Sequence, residues 1–320
     1  MPRRSRLSIA TTVICFGVTA CLVPLMVLGR PPRTPDGLLA GRLEKVWSLH
    51  GISRGCLETP RAMVTDDKGD IYIVDKTARI QVFNENGKFL RGWQTPEFYS
   101  GKPTGLSFDN DGNLMVADTH YFRILFYTPD GKLLEDKTLG GTWGNKPGEF
   151  GLVTDAVVDS EGFIYVAEYG EFDRIQKFTP TGEFVMQWGG HGSEPGQFIR
   201  PQNMAVDESD HIWVVDACND RIQVFDTDGE LIELWGTSGD GPGELHYPYD
   251  LILVDEFVYV CEFGNHRVQK FTRDGECLGL WGKQGRQEGE LFNPWSLAQD
   301  CRGRIHVLDT YNHRVQRIRL

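Results

Sequence analysis

The stretch "NHRVQ" occupies residues 265–269 and returns at 312–316, each time shortly after an apolar run that ends in an acid, "VYVCEFG" and "IHVLDTY". Weaker copies line up with it: "ARIQVF" around Arg79, "FRILFY" around Arg123, "DRIQKF" around Arg174 and "DRIQVF" around Arg221, followed by Arg267 and Arg314. The six arginines stand 44, 51, 47, 46 and 47 residues apart. A period of that size predicts a repeat architecture in which each unit is one supersecondary element that cannot bury its own face.

Each unit has the same grammar. A short strand opens at or near a proline ("PRAMVTD", "PTGLSFD", "PQNMAVD", "PYDLILV", "PWSLAQD"), and a glycine-containing turn leads to a second strand such as "IYIVD" or "IYVAE". The arginine strand follows, then a tight turn such as Asn86-Gly87 or Asp228-Gly229, and a last strand ending in tryptophan. The 37 glycines and 16 prolines interrupt every apolar run before it reaches helical length, so the class is all-β. Four antiparallel strands per unit make a propeller blade, and six units make a six-bladed β-propeller. Trp93, Trp188, Trp235 and Trp281 each lie 14 residues after their arginine, whereas Trp143 lies 20 after Arg123, which reads as a longer fourth strand. Arg314 has six residues after it, so the last unit lacks its outer strand; "RLEKVWSLHG" at 42–51, with Trp47 13 residues before Pro60, supplies it in this reading. The N-terminal strand is thus expected to complete the C-terminal blade and remove an open sheet edge.

The chain ahead of the repeats has a different composition. "MPRRSR" is followed by 23 uncharged residues from Leu7 to Gly29, long enough to span a bilayer. Residues 1–29 are therefore expected to be a signal anchor or transmembrane helix, the membrane contact being 7–29. "VTAC" at 18–21 also resembles a lipoprotein signal ending at Cys21, but the apolar run continues past it. Residues 30–41 read as a proline-stiffened linker and 42–320 as the propeller. The basic N-terminus places the propeller outside the cytoplasm, periplasmic or extracellular. Without residues 1–41 the net formal charge moves from −12 to −16. A domain that acidic repels phosphate backbones, which excludes nucleic acid as a partner.

The pattern "PGQF", proline, a "D..G.IYVAD" strand, "NHRVQ" and a closing "G....WG" resembles the NHL-repeat family over about 279 residues. The resemblance implies a propeller and little about function, since that fold hosts receptors, scaffolds, RNA binders and enzymes. One enzyme on this repeat, the peptidylglycine amidating lyase, holds zinc through histidines placed directly after the opening proline. Here that position is Arg61, Thr104, Thr154, Gln202, Tyr249 and Trp295, with no histidine, so that lyase mechanism is not expected.

One position further on stand Asp155, Asn203 and Asp250, an all-oxygen set on three successive blades of the kind Ca²⁺ accepts; the alternative is that they are solvated residues of the channel mouth. Related lactonase propellers hold a divalent cation at this end, by motifs that this chain does not match residue by residue. The loops on the same face gather Arg61, His120, Tyr169, Gln202, Tyr249, Trp295 and Tyr311, and aromatic residues with arginine are enriched where proteins bind proteins or peptides. His266 and His313 read as residues of the repeat, and the acid before each repeat arginine as its ion-pair partner within the blade. Cys277 and Cys301 fall near one another in register and could bridge. The expected function is a membrane-tethered module that binds a protein, peptide or other ligand without chemistry. The alternatives are a metal-dependent hydrolase or lyase with its cation at the channel mouth, and a sensor subunit of a membrane complex.

Overall fold

The computed structural model describes residues 37–99 and 101–320; the anchor expected at 1–29, with Cys21, and the first part of the linker lie outside them. No helix among the described residues is long and apolar enough to cross a membrane. The chain forms six antiparallel sheets arranged as a propeller. Blade 1 is Pro60–Thr65, Ile71–Asp75, Arg79–Phe83 and Phe89–Gln94, and blade 2 is Gly105–Phe108, Leu114–Asp118, Arg123–Tyr127 and Leu139–Gly140. Blade 3 is Leu152–Val158, Ile164–Tyr169, Arg174–Phe178 and Phe184–Gly189, and blade 4 is Pro201–Val206, Ile212–Asp216, Arg221–Phe225 and Leu231–Trp235. Blade 5 is Pro248–Val254, Phe257–Glu262, Arg267–Thr272 and Cys277–Trp281, with Leu39–Ala40 added in parallel at its outer edge. Blade 6 contains Ser296–Gln299, Ile305–Asp309 and Arg314–Arg319, and Arg42–Trp47 pairs antiparallel with the last of these.

Burial follows strand position. Second strands such as "IYIVD" and "LMVAD" are buried at every residue because sheets cover both faces, while outer strands such as Phe89–Gln94 and Phe184–Gly189 alternate between half-buried and exposed. The apolar clusters sit between blades rather than within them: Trp213 and Val224 of blade 4 pack with Leu251 and Val258 of blade 5, and Trp47 with Met63, Phe83 and Val315 at the junction of blades 6 and 1. Phe150, Phe198, Leu245 and Leu291, together with Leu57, are fully buried in one repeated loop slot.

The repeat acid and arginine are paired in every blade, from Asp118 with Arg123 at 2.9 Å to Asp309 with Arg314 at 2.7 Å. Each arginine outside blade 2 also donates to carbonyls of the loop that enters its blade: Arg221 reaches Ser193, Glu194 and Gln197 at 2.7–2.9 Å. The glutamine two residues on, Gln223, binds the same Gln197 carbonyl and accepts the Gly196 N–H. The ion pair therefore pins a loop as well as a sheet.

Blade 2 departs from the expectation of a longer fourth strand. A single 3-10 turn at Glu135–Lys137 takes most of the strand's place, and two residues, Leu139–Gly140, pair with Arg123–Ile124. Leu139 stands opposite Ile124, as Trp188 stands opposite Ile175, so the tryptophan slot is filled by leucine. Trp143 lies beyond the strand in the loop, bridged to Phe150 and 53% exposed. The expected Cys277–Cys301 bridge is not formed. All five described cysteines are free, and the Cys277 thiol donates to the Gln269 side chain.

The tight turn before each outer strand explains its glycine. Gly229 has φ +78°, and a Cβ built on it would stand 2.8 Å from the indole of Trp188 in the preceding blade. Gly229→Ala combines a left-handed backbone with a collision against a half-buried ring, and is expected to cost about 1–3 kcal/mol, read as a lower urea midpoint.

Candidate ligand site at the channel mouth

The loops that enter the inner strands and those joining second to third strands open on one face, around a channel cavity of about 290 Å³. Bulges between Pro60 and Ala62, between Pro201 and Asn203 and between Pro248 and Asp250 turn the residue between them out of the ladder. Arg61, Gln202 and Tyr249 thereby line the cavity, joined by Trp295, which stands just ahead of its strand.

The guanidinium of Arg61 lies 5.1 Å over the Trp295 ring, and that of Arg200 lies 4.8 Å over Tyr169 and 5.2 Å over Tyr249. Arg200 Nε donates to Gln202 Oε1 at 2.9 Å. Tyr249 stacks on Phe263 at 4.4 Å and meets Trp295 edge-on at 4.9 Å; Phe263 in turn meets Tyr311 at 6.2 Å. Burial lowers the Arg61 pKa, and the neighbouring positive Arg200 adds to it. His120 is held below its ordinary value by burial, then by the charges of Arg61 and Lys102. The seven residues expected at this face are thus gathered around one mouth.

Arg200 and Phe263 complete it. Phe263 follows the acid of its second strand as Tyr169 does in blade 3, and that shared slot is the signal by which it could have been found. Arg61 differs from the repeat arginines in having no carboxylate partner among the described residues, and its Nε is buried without a hydrogen bond.

Below the mouth, Asp155, Asn203 and Asp250 link successive blades. Asp155 accepts the Met204 N–H at 3.0 Å and the Asn203 amide at 3.1 Å; Asn203 Oδ1 accepts the Leu251 N–H at 3.2 Å; Asp250 accepts the Leu297 N–H at 2.6 Å. Ser296 continues the chain of bonds by accepting the Met63 N–H at 3.1 Å. Each side chain therefore bonds to the next blade's backbone, a role that spacing alone does not reveal. Both acids are buried. Burial raises Asp250 to about 7 and pushes Asp155 well above the carboxylate range, with the charge of Asp250 adding to it. Asp155 Oδ1 is left buried without a partner.

The family model for the NHL repeat matches residues 198–225 and 293–318. Over 186 residues the chain is 31% identical to the peptidylglycine alpha-amidating monooxygenase of Rattus norvegicus, covering 56% of this chain and 18% of that protein. It is 28% identical over 173 residues to NHL repeat-containing protein 3 of Mus musculus, 47% of each. The matched segment thus spans less than a fifth of the monooxygenase and about half of the second relative. Among solved structures, virginiamycin B lyase from Staphylococcus aureus superposes with a TM-score of 0.62 at 14% identity, covering 88% of this chain and 99% of that one. An auxiliary nutrient binding protein from Bacteroides ovatus gives 0.64 at 17%, covering 82% and 70%. At these identities the structural likeness is one of fold.

Proposed function

We propose that this chain, a six-bladed NHL-repeat propeller, is a binding module that takes an anionic ligand with an apolar or aromatic body at its channel mouth. The observation that carries this reading is Arg61, a largely buried cation that forms no ion pair with a carboxylate among the described residues, in a protein of net charge −12. A desolvated guanidinium is a strong donor to a carboxylate or phosphate, and Arg200, poised on Gln202, supplies a second. Trp295, Tyr249, Phe263 and Tyr311 offer flat apolar surface for the rest of the ligand.

In this reading the segment 7–29 tethers the module to the membrane, with the propeller outside the cytoplasm, and the same mouth would serve the sensor subunit of a membrane complex. Arg42–Trp47 acts as the outer strand of blade 6 and closes the ring, supported by its register with Arg314–Arg319. A second reading, a metal-dependent hydrolase or lyase with Ca²⁺ held by Asp155, Asn203 and Asp250, draws on the unpartnered Asp155 oxygen. Those residues line the same cavity as Arg61, and chelation together with the Arg61 variant separates the two readings by experiment.

Calorimetric titration of the full chain with aromatic carboxylates and short peptides, each beside its amide, tests the proposal. Carboxylates are expected to bind in preference to amides, and Arg61→Ala to weaken them about ten- to hundredfold, the loss of one charge-assisted hydrogen-bonding group. Equal binding of acid and amide, or an unchanged Arg61→Ala titration, would show the reading to be wrong.

A further inference from the structure

The loops where blade 6 meets blade 1 bring together three side chains that are far apart in sequence. His50 follows the Arg42–Trp47 strand, Glu58 precedes Pro60, and His313 sits between the second and third strands of blade 6. Their ligating atoms all lie within 4.8 Å of one another. His50 Nε2 is 2.6 Å from Glu58 Oε2, and the two imidazoles stack at 3.9 Å with 24° between their planes.

The repeat explains one of the three. His313 Nδ1 accepts the Thr59 N–H at 3.0 Å, and the same job is done by His266 for Asn293, Asp220 for Tyr247 and Asp173 for Arg200. This residue anchors the incoming loop of the next blade. Nothing in that role calls for His50 or Glu58. The residues equivalent to His50 are Trp143, His191, Ser238 and Gln284, each bridged to the buried loop residue of its blade, and the residues following those buried positions, where Glu58 follows Leu57, are Gly151, Ile199, His246 and Phe292. Among these junctions, two histidines and a carboxylate occur together at this one.

We propose that this junction binds a divalent transition-metal ion of the zinc class through His50, Glu58 and His313. Two imidazoles and one carboxylate form a three-ligand set suited to Zn²⁺ and its neighbours rather than to Ca²⁺ or Mg²⁺, with a fourth position open to water. Zinc-to-nitrogen and zinc-to-oxygen bonds of about 2.0–2.2 Å place donors a little over 3 Å apart, so the cluster needs to contract and the stacked rings to splay. His50 can do this, since its side chain is 62% exposed. Two existing partners give way: Lys76, now 2.5 Å from Glu58 Oε1, is released to solvent, and for His313 to ligate through Nε2 its ring proton moves to Nδ1, so the Thr59 N–H loses its acceptor. These costs place the site among exchangeable ions rather than buried structural ones.

The test is titration of the metal-free full chain with Zn²⁺ by calorimetry and with Co²⁺ by visible absorption, beside His50→Ala, Glu58→Gln and the control Asp155→Asn. His50 is exposed and Glu58→Gln keeps shape, so both variants should retain the wild-type circular dichroism. One ion per chain is expected, with Co²⁺ bands of a four- or five-coordinate site, and each of the two ligand variants should lose about tenfold or more in affinity while the control does not. No binding, wild-type affinity in either ligand variant, or a loss in Asp155→Asn would each overturn the proposal.

Discussion

Arg267→Ala should lower the stability of the propeller by about 3–5 kcal/mol, measured by equilibrium urea unfolding with tryptophan fluorescence. Arg267 Nε donates to Glu262, and its two terminal nitrogens reach the carbonyls of Asp240, Gly241 and Glu244 at 2.6–2.9 Å. Glu262 is fully buried. Truncating the arginine therefore leaves a buried carboxylate without its cation and removes three donors from the loop that enters blade 5, where Gln269 still binds the Glu244 carbonyl. Arg123→Ala is the internal control. Among the described residues Arg123 pairs with Asp118 and Glu97, and the position two residues on is Leu125 rather than glutamine. A smaller loss at Arg123 than at Arg267 is expected. Equal losses would mean that the ion pair alone matters and the loop bonds do not.

Stability should fall as the pH rises from about 4 to about 7, and Asp250→Asn should remove much of that fall. Asp250 carries an ordinary value of 3.8 when exposed and about 7 in the fold, because burial penalises its charged form. Between those values the native state holds a proton that the unfolded chain has given up, so raising the pH through this window favours unfolding, with no further change above it from this group. A displacement of that size corresponds to at most on the order of 4 kcal/mol. Asparagine keeps an acceptor for the Leu297 N–H without the charge, so the variant should gain on the wild type at pH 8 and match it near pH 4. Thermal melts across that range check this. A cation seated on Asp155 and Asp250 would reverse the slope, because the ion favours the deprotonated acids; stability rising with pH and falling on chelation would support the hydrolase reading over the recognition reading.

Much of this was legible in the chain because the unit repeats. The spacing of Arg79 to Arg314 gave the number of blades, and the shared register of acid and arginine gave their pairing. Arg61, Tyr249 and Trp295 were found because one slot after a proline recurs. What failed were places where a residue type was taken for its usual role. Trp143 looked like a delayed strand end, yet Leu139 holds the slot and the tryptophan is in a loop. For Asp155, Asn203 and Asp250, whose reading as ligands stays open, sequence does not show that each also lies within reach of an amide on the next blade. His50 and Glu58 showed no ligand spacing because the third member of their cluster is more than 250 residues away in the chain, at His313.

The anchors between blades are unevenly shared. Asp173, Asp220, His266 and His313 fasten the junctions from blade 3 onward through to blade 1, whereas the equivalent positions in blades 1 and 2 are Ala78 and Phe122, which have no side-chain acceptor. Blade 2 is also where the outer strand shrinks to two residues. Blades 1, 2 and 3 are instead stitched away from these loops, by Arg91 on the Pro129 carbonyl, Thr104 on that of Thr154 and Asn110 on that of Asp159. The loops that lead to Arg61, Tyr249 and Trp295 are each tied down by such an anchor, on Thr59, Tyr247 and Asn293, whereas Phe122, beside His120 and Tyr121, supplies none, so the mouth is fastened on one side by side chains that its other side lacks.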